Sequence, residues 1–220
     1  MVAVLAIRHE RWADFGMDPA EPRAPADFDL AIGDGAMRLK LAEARLTLSD
    51  EGISYALDGS GGLRPFAQLR SVRIQAIHGA KGTPWEAMIE LVFDRGLPLQ
   101  VHSGTPLGGN DPERDPVFIA FVEDLHRRIP PQDAARIRFL RGVPEGRHRV
   151  LQIALVIFLV VFGGAGGFIL LKTAGGSIPI AEMLFPMLGL IGFGMWIWHS
   201  VEKSKPGTYR PDRLPTDLFP

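Results

Sequence analysis

The run VLQIALVIFLVVFGGAGGFILL, from Val150 to Leu171, limits what this chain can fold into more than any other feature. It spans 22 residues, with Gln152 its only polar side chain. As a helix it would extend about 33 Å at 1.5 Å per residue, enough to cross a hydrocarbon core of roughly 30 Å. A second apolar stretch, Met183–Trp198, covers only about 24 Å by itself. Carried back to Ile178, it gains a turn and sets Glu182 near one membrane face. The connector KTAGGS is short, so the two segments are expected to return antiparallel. The expectation is two transmembrane helices, about 150–171 and 178–199, forming a hairpin across residues 150–200.

Charge orients that hairpin. Arg136, Arg138, Arg141, Arg147 and Arg149 precede the first span, and Lys203, Lys205, Arg210 and Arg213 follow the second, with Lys172 alone between them. Under the positive-inside rule both outer flanks face the cytoplasm. Met1–Ile7 is too short for a signal-peptide core and has no basic region before it, so the N-terminal portion is expected to stay cytoplasmic. Residues 1–135 hold 14 Lys and Arg against 20 Asp and Glu, whereas 136–149 hold five Arg against Glu145. Positive charge therefore gathers only at the membrane approach. That suits attraction to anionic lipid and not a nucleic-acid surface. Topology and lipid attraction ask for the same collar, so it is not separate support for regulated lipid binding. The absence of cysteine excludes a disulfide framework and any Cys-based zinc site.

The first 131 residues divide into an N-terminal arm over 1–24 and a domain over 25–131. Within the domain, Met37–Leu41, Arg45–Ser49 and Ile53–Leu57 alternate apolar and polar residues as strands do, with Asp50-Glu51-Gly52 as a turn. Asp58–Gly62 reads as the next turn, and Phe66–Gln75 as another strand through Leu69, Val72 and Ile74. Met88–Phe93 and Leu97–Val101 flank Asp94-Arg95-Gly96 as a hairpin. Asp115-Pro116 opens a helix as cap and first-turn proline. Val117, Phe118, Phe121, Val122, Leu125 and Ile129 form its apolar face, and Pro130-Pro131 stops it. Residues 132–149 read as a basic juxtamembrane linker and 201–220 as a Pro-rich cytoplasmic tail.

The hairpin RLTLSDEGISYAL, the segment RPFAQLRSVRIQ, the hairpin around DRG and the helix VFIAFVEDLHRRI together resemble a bacterial pleckstrin-homology-like (PH-like) domain. The resemblance covers about residues 37–130, and these are pattern matches, not catalytic signatures. It implies an α+β membrane protein: a seven-strand antiparallel barrel capped by a C-terminal helix, joined to membrane helices, with a binding or scaffolding role and no enzymatic one. Family members often place their membrane helices before the domain, whereas here they follow it.

Candidate sites are few. The turns Ser49–Gly52 and Asp58–Gly62 are acidic or neutral, which disfavours phosphoinositide-type recognition, and the glycines of the second lack the strand-to-helix setting of a phosphate loop. Asn110–Asp115 carries three carboxylates but not the spacing of a calcium loop, and reads as a helix entry. The six histidines show no metal-helix spacing, so no metal or cofactor is expected. Gly163 and Gly167 on the first span, with Gly189, Gly192 and Gly194 on the second, are candidates for close helix packing. Trp196, Trp198 and His199 look like an interfacial belt. Glu182 is either an interfacial carboxylate or an intramembrane proton or ion site. The tail YRPDRLPTDLFP cannot be a regular helix, and Tyr209, Leu214, Leu218 and Phe219 offer docking contacts.

The expectation is a bacterial inner-membrane scaffold with both termini cytoplasmic. Its partners would be membrane lipids and a protein or a second copy of the chain. An anionic-lipid sensor using Arg136–Arg149 and a subunit of an oligomeric transporter using Glu182 are the alternatives.

Overall fold

The computed structural model describes residues 23–33, 42–57, 60–78, 84–105, 109, 111–173 and 180–219. Residues 1–22 of the arm expected over 1–24 lie outside them, as does the strand expected at Met37–Leu41. The fold is α+β. The strands are β1 (Ala26–Gly33), β2 (Ala42–Leu48), β3 (Gly52–Leu57), β4 (Ser60–Pro65), β5 (Leu69–His78), β6 (Pro84–Phe93), β7 (Leu99–His102), β8 (Arg138–Arg141) and β9 (Gly207–Thr208). The helices are α1 (Asp115–Arg128), α2 (Pro131–Ala134), α3 (Glu145–Thr173) and α4 (Ile180–Lys203). All nine strands form one sheet in the order β4-β3-β2-β1-β7-β6-β5-β8-β9. Every neighbouring pair is antiparallel except β5 and β8.

Alternation builds the core. Leu46 and Leu48 on β2, Val72 and Ile74 on β5, and Ile89 and Leu91 on β6 are buried at every second position, while Leu30, Ala31 and Ile32 on β1 are buried in succession. α1 lies over β1 and β2 and inserts Phe118, Phe121, Val122 and Leu125, all fully buried. Phe121 meets Phe28 edge to face, ring centroids 5.4 Å apart. Strand β1 was not anticipated, although FDLAI alternates. Asp27 and Asp29 point outward there, where Asp27 accepts a 2.6 Å hydrogen bond from the Thr47 hydroxyl.

Three local expectations need correction. Most of the Gly-rich turn at 58–62 is strand: Gly61 pairs with Ala56 and Gly62 with Tyr55, because ladder hydrogen bonds need only backbone. The cap of α1 is Arg114, one residue earlier than expected; Asp115 is already helical, and its side chain turns to Ser103. Burial there holds the Asp115 carboxyl above its ordinary pKa, opposed by the Ser103 hydrogen bond. Most of α2, all of β8 and the start of α3 fall in the linker expected over 132–149, where Ile137 and Phe139 are apolar enough to join the core.

A buried arginine closes the body. Arg128 donates to Asp124 at 2.7 Å, to Asp50 at 3.3 Å and to the Ala24 carbonyl at 2.7 Å. It thereby ties the end of α1 to the β2–β3 turn and to the segment entering β1.

α3 and α4 pack antiparallel. Phe158 meets Phe193 at 5.7 Å, and the Val143 amide donates to the Ser204 carbonyl at 3.1 Å. Among the described residues one helix is long and apolar enough to cross a membrane, Glu145–Phe168 of α3, with a mean hydropathy of 2.3. Its apolar side chains point outward almost all round: Val150, Ile153, Val156, Ile157, Val160 and Val161 are exposed.

Candidate functional site at the foot of the helices

The sequence-predicted residues that come together do so where the helix pair meets the sheet. β8 runs parallel to β5, from Ser71↔Arg138 to Ile74↔Arg141. Three residues later α3 begins. After α4 ends, the chain returns as β9, which pairs antiparallel with β8 through Leu140↔Thr208 and Arg141↔Gly207. The entry and exit of the helix pair are therefore adjacent strands.

Gly142 makes the corner between β8 and α3. Its φ of +71° is costly for any residue with a side chain, and a Cβ would collide with the Lys205 carbonyl. Its amide donates to Ile74 at 2.8 Å, and its carbonyl accepts from the Arg73 guanidinium at 3.2 Å. Only a bare backbone lets the two ends of the helix pair approach this closely.

The tail packs back onto the domain. Leu218 is 1% exposed and belongs to the core, and Tyr209, Leu214 and Phe219 pack against that core. Tyr209, His126 and Phe139 form a three-ring cluster with centroids 5.6–5.7 Å apart. His126 Nδ1 lies 2.7 Å from the Val122 carbonyl, which cannot donate, so Nδ1 carries the proton. Nε2 is then an acceptor, and the Tyr209 hydroxyl donates to it at 2.8 Å. Burial pushes the His126 pKa down to about 4, opposed by the bond to Val122, and pushes that of Tyr209 well up. Sequence reasoning left His126 as one of six scattered histidines. The signal was its place on the apolar face of α1, one turn after Val122.

The arginine collar divides. Arg136 donates to the Phe66 carbonyl at 3.0 Å, to the Ala67 carbonyl, and to Asp133 at 2.9 Å, so it holds the turn between β4 and β5. Arg141 pairs with Asp217 of the tail. Arg138, Arg147 and Arg149 are exposed.

A Cβ at Gly163, Gly167, Gly189 or Gly192 meets no described atom within 4 Å. Gly194 is buried, and its Cβ would stand 3.3 Å from Leu159 of α3. Among the described residues the contact between the helices includes Phe158, Leu159, Phe193 and Gly194. Glu182 falls in the first turn of α4, where side chains lie outside the described residues.

Between the end of α4, β8 and β9 is a cleft of about 290 Å³ lined by Arg141, Glu202, Lys203, Lys205, Gly207 and Asp217. Lys205 pairs with Glu202. Neither a protein-family model nor a curated protein matches the chain.

Proposed function

We propose that this chain is a membrane-anchored interaction module. A PH-like domain sits at the cytoplasmic face of a bacterial inner membrane, held there by two spanning helices, and binds a protein partner. The observation that carries this reading is that β8 and β9, on either side of the helix pair, are neighbours in the domain's own sheet. A domain joined to its anchor by a flexible linker could swing away from the bilayer. This one has its height and orientation fixed by backbone hydrogen bonds and by a tail that ends in its core.

Further features support the parts of the reading. Strands β1–β4 and β5–β7 form two meanders joined by the β1–β7 pair and followed directly by α1, which suits a seven-strand, helix-capped domain. An apolar helix exposed on nearly every side needs a solvent other than water. The adjacency of entry and exit keeps domain and tail on one side of the bilayer, in keeping with the positive flanks. At the opposite edge of the sheet, β4 has β3 as its only neighbour among the described residues. An unpaired edge strand is a template for strand addition by another chain.

The test is purification of the full chain from membranes in a mild detergent, with mass spectrometry of what co-elutes. The expected result is a protein partner in stoichiometric amount. A chain that elutes alone, carrying only lipid, overturns the interaction role.

A further inference from the structure

The cleft at the foot of α4 gathers cations from three places in the chain. Arg141 comes from β8, Lys203 from the last turn of α4, and Lys205 from the segment leading to β9. Gly207 contributes no side chain, and the stem of Arg141 packs where one would stand. Two carboxylates share the cleft, Glu202 against Lys205 and Asp217 against Arg141. Their side chains are 49% and 63% exposed, so they sit at the rim, where ion pairs are weak and easily exchanged for another anion. The cations outnumber them.

Height decides what that anion is. Lys203 follows Trp198 by five residues on the same helix, about 7.5 Å along its axis. Trp196 and Trp198 are exposed and suited to the membrane–water boundary. The polar layer of each leaflet is roughly 5–8 Å deep. The cleft therefore opens at the level of lipid phosphates. At about 290 Å³ it admits a headgroup and leaves the acyl chains in the bilayer.

We propose that this cleft binds the phosphate of an anionic membrane lipid, with Arg141 as a two-pronged donor and Lys203 and Lys205 as point charges. The inference rests on the spanning helices of the reading above, but not on a protein partner. A bound lipid bridges β8, α4 and the strand after it, and so fastens the anchor to the sheet from the membrane side.

Full-length chain is placed in nanodiscs of equal phosphatidylglycerol and phosphatidylcholine, and the lipid retained on release is counted by native mass spectrometry. The wild type is expected to keep phosphatidylglycerol in preference. Lys205→Gln and Arg141→Gln each lower that retention by about fivefold, the worth of one cation at an anionic surface. Asp217→Asn and Glu202→Gln raise it, because each removes a competing anion and leaves the cations in place. Arg149→Gln, an equal charge change at an exposed collar position outside the cleft, lowers it far less, because there the lipid is attracted only through the diffuse surface field. If Arg149→Gln lowers retention as much as Lys205→Gln, attraction is diffuse and the cleft proposal fails. If Asp217→Asn lowers it, the ion pair only builds the fold, and the proposal fails again. If millimolar inorganic phosphate displaces the retained lipid, the ligand is free phosphate and the lipid assignment is overturned. A chain that never enters the disc overturns the membrane reading as well. A chain that enters but retains both lipids equally overturns the cleft proposal alone.

Discussion

Strand β5 has neighbours of two kinds. On one side it pairs antiparallel with β6, each strand ten residues long, and Val72, Ile74, Ile89 and Leu91 across that ladder are fully buried. On the other side it pairs parallel with β8 over four residues, and β8 in turn carries only the two residues of β9. The first neighbour belongs to a body made from one continuous stretch of chain. The second belongs to a foot assembled from segments more than sixty residues apart, 138–141 and 207–208. Burial of apolar surface holds the body together. The foot relies on one corner glycine, one buried leucine, a ring cluster and exposed ion pairs. Local opening should begin where apolar contacts are fewest, so the foot is the part that moves first.

The largest expected effect comes from breaking the body. Phe121→Ala removes a fully buried ring and its edge contact with Phe28, and should cost about 4 kcal/mol. Denaturant unfolding of the full chain in detergent, followed by far-UV circular dichroism, should show the loss as a lower midpoint. Hydrogen exchange should then rise in body and foot together, because the foot has nothing else to pair with. A foot that stays protected while the body opens would mean the comparison is drawn the wrong way round.

Acid should weaken the joint between them. His126 is held neutral in the folded chain with a pKa of about 4, below the ordinary value near 6.5. Between those values the unfolded chain binds more protons, so stability rises with pH across the window. The contribution is complete above pH ~6.5 and is lost as pH falls toward ~4, amounting to roughly 3 kcal/mol. Stability measured at steps from pH 7 to pH 4 should follow that slope. His126→Gln should flatten it, whatever its own effect on stability at pH 7.

A smaller change should separate the two regions. Leu218→Ala empties a core position supplied by the tail, at a cost of about 2–3 kcal/mol. The tail can detach on its own, so the loss should appear as faster exchange over 207–219 with β1–β7 still protected. Uniform loss of protection would show that the tail is part of the body's cooperative unit.

What could be read in the sequence follows the same division. The body was legible because its signals are local. Alternation in ISYAL, the turn at Asp94–Gly96 and the helical spacing from Phe118 to Leu125 each lie within one element. Strand β8 was not legible, since RFLR between basic residues looks like a charged linker until Phe139 finds His126 and Tyr209. Arg136 and Arg141 were readable as positive charge but not as holders of Ala67 and Asp217, partners that lie 69 and 76 residues away. Tyr209, Leu214, Leu218 and Phe219 stood out as apolar residues in a Pro-rich tail, because such side chains are costly to leave in water. Their receiving surface is a property of the fold. Among the glycines, small size permits close approach but does not require it, and of the described residues Gly194 is one that lies at the contact.

The finest test of the joint is Tyr209→Phe. It keeps the ring and its packing against Phe139 and deletes only the hydroxyl that donates to His126 Nε2 at 2.8 Å. A buried acceptor is then left without its donor, which should cost about 1 kcal/mol. The Val122 carbonyl still fixes the proton on Nδ1, so nitrogen chemical shifts should report the same tautomer in the variant. Exchange should quicken at β9, which leads directly into Tyr209, and remain as in the wild type on β5 and β6. A change of tautomer would show that Tyr209, and not Val122, sets the state of His126. In that case the tail would govern the protonation of His126, and foot and body would be coupled by chemistry as well as by packing.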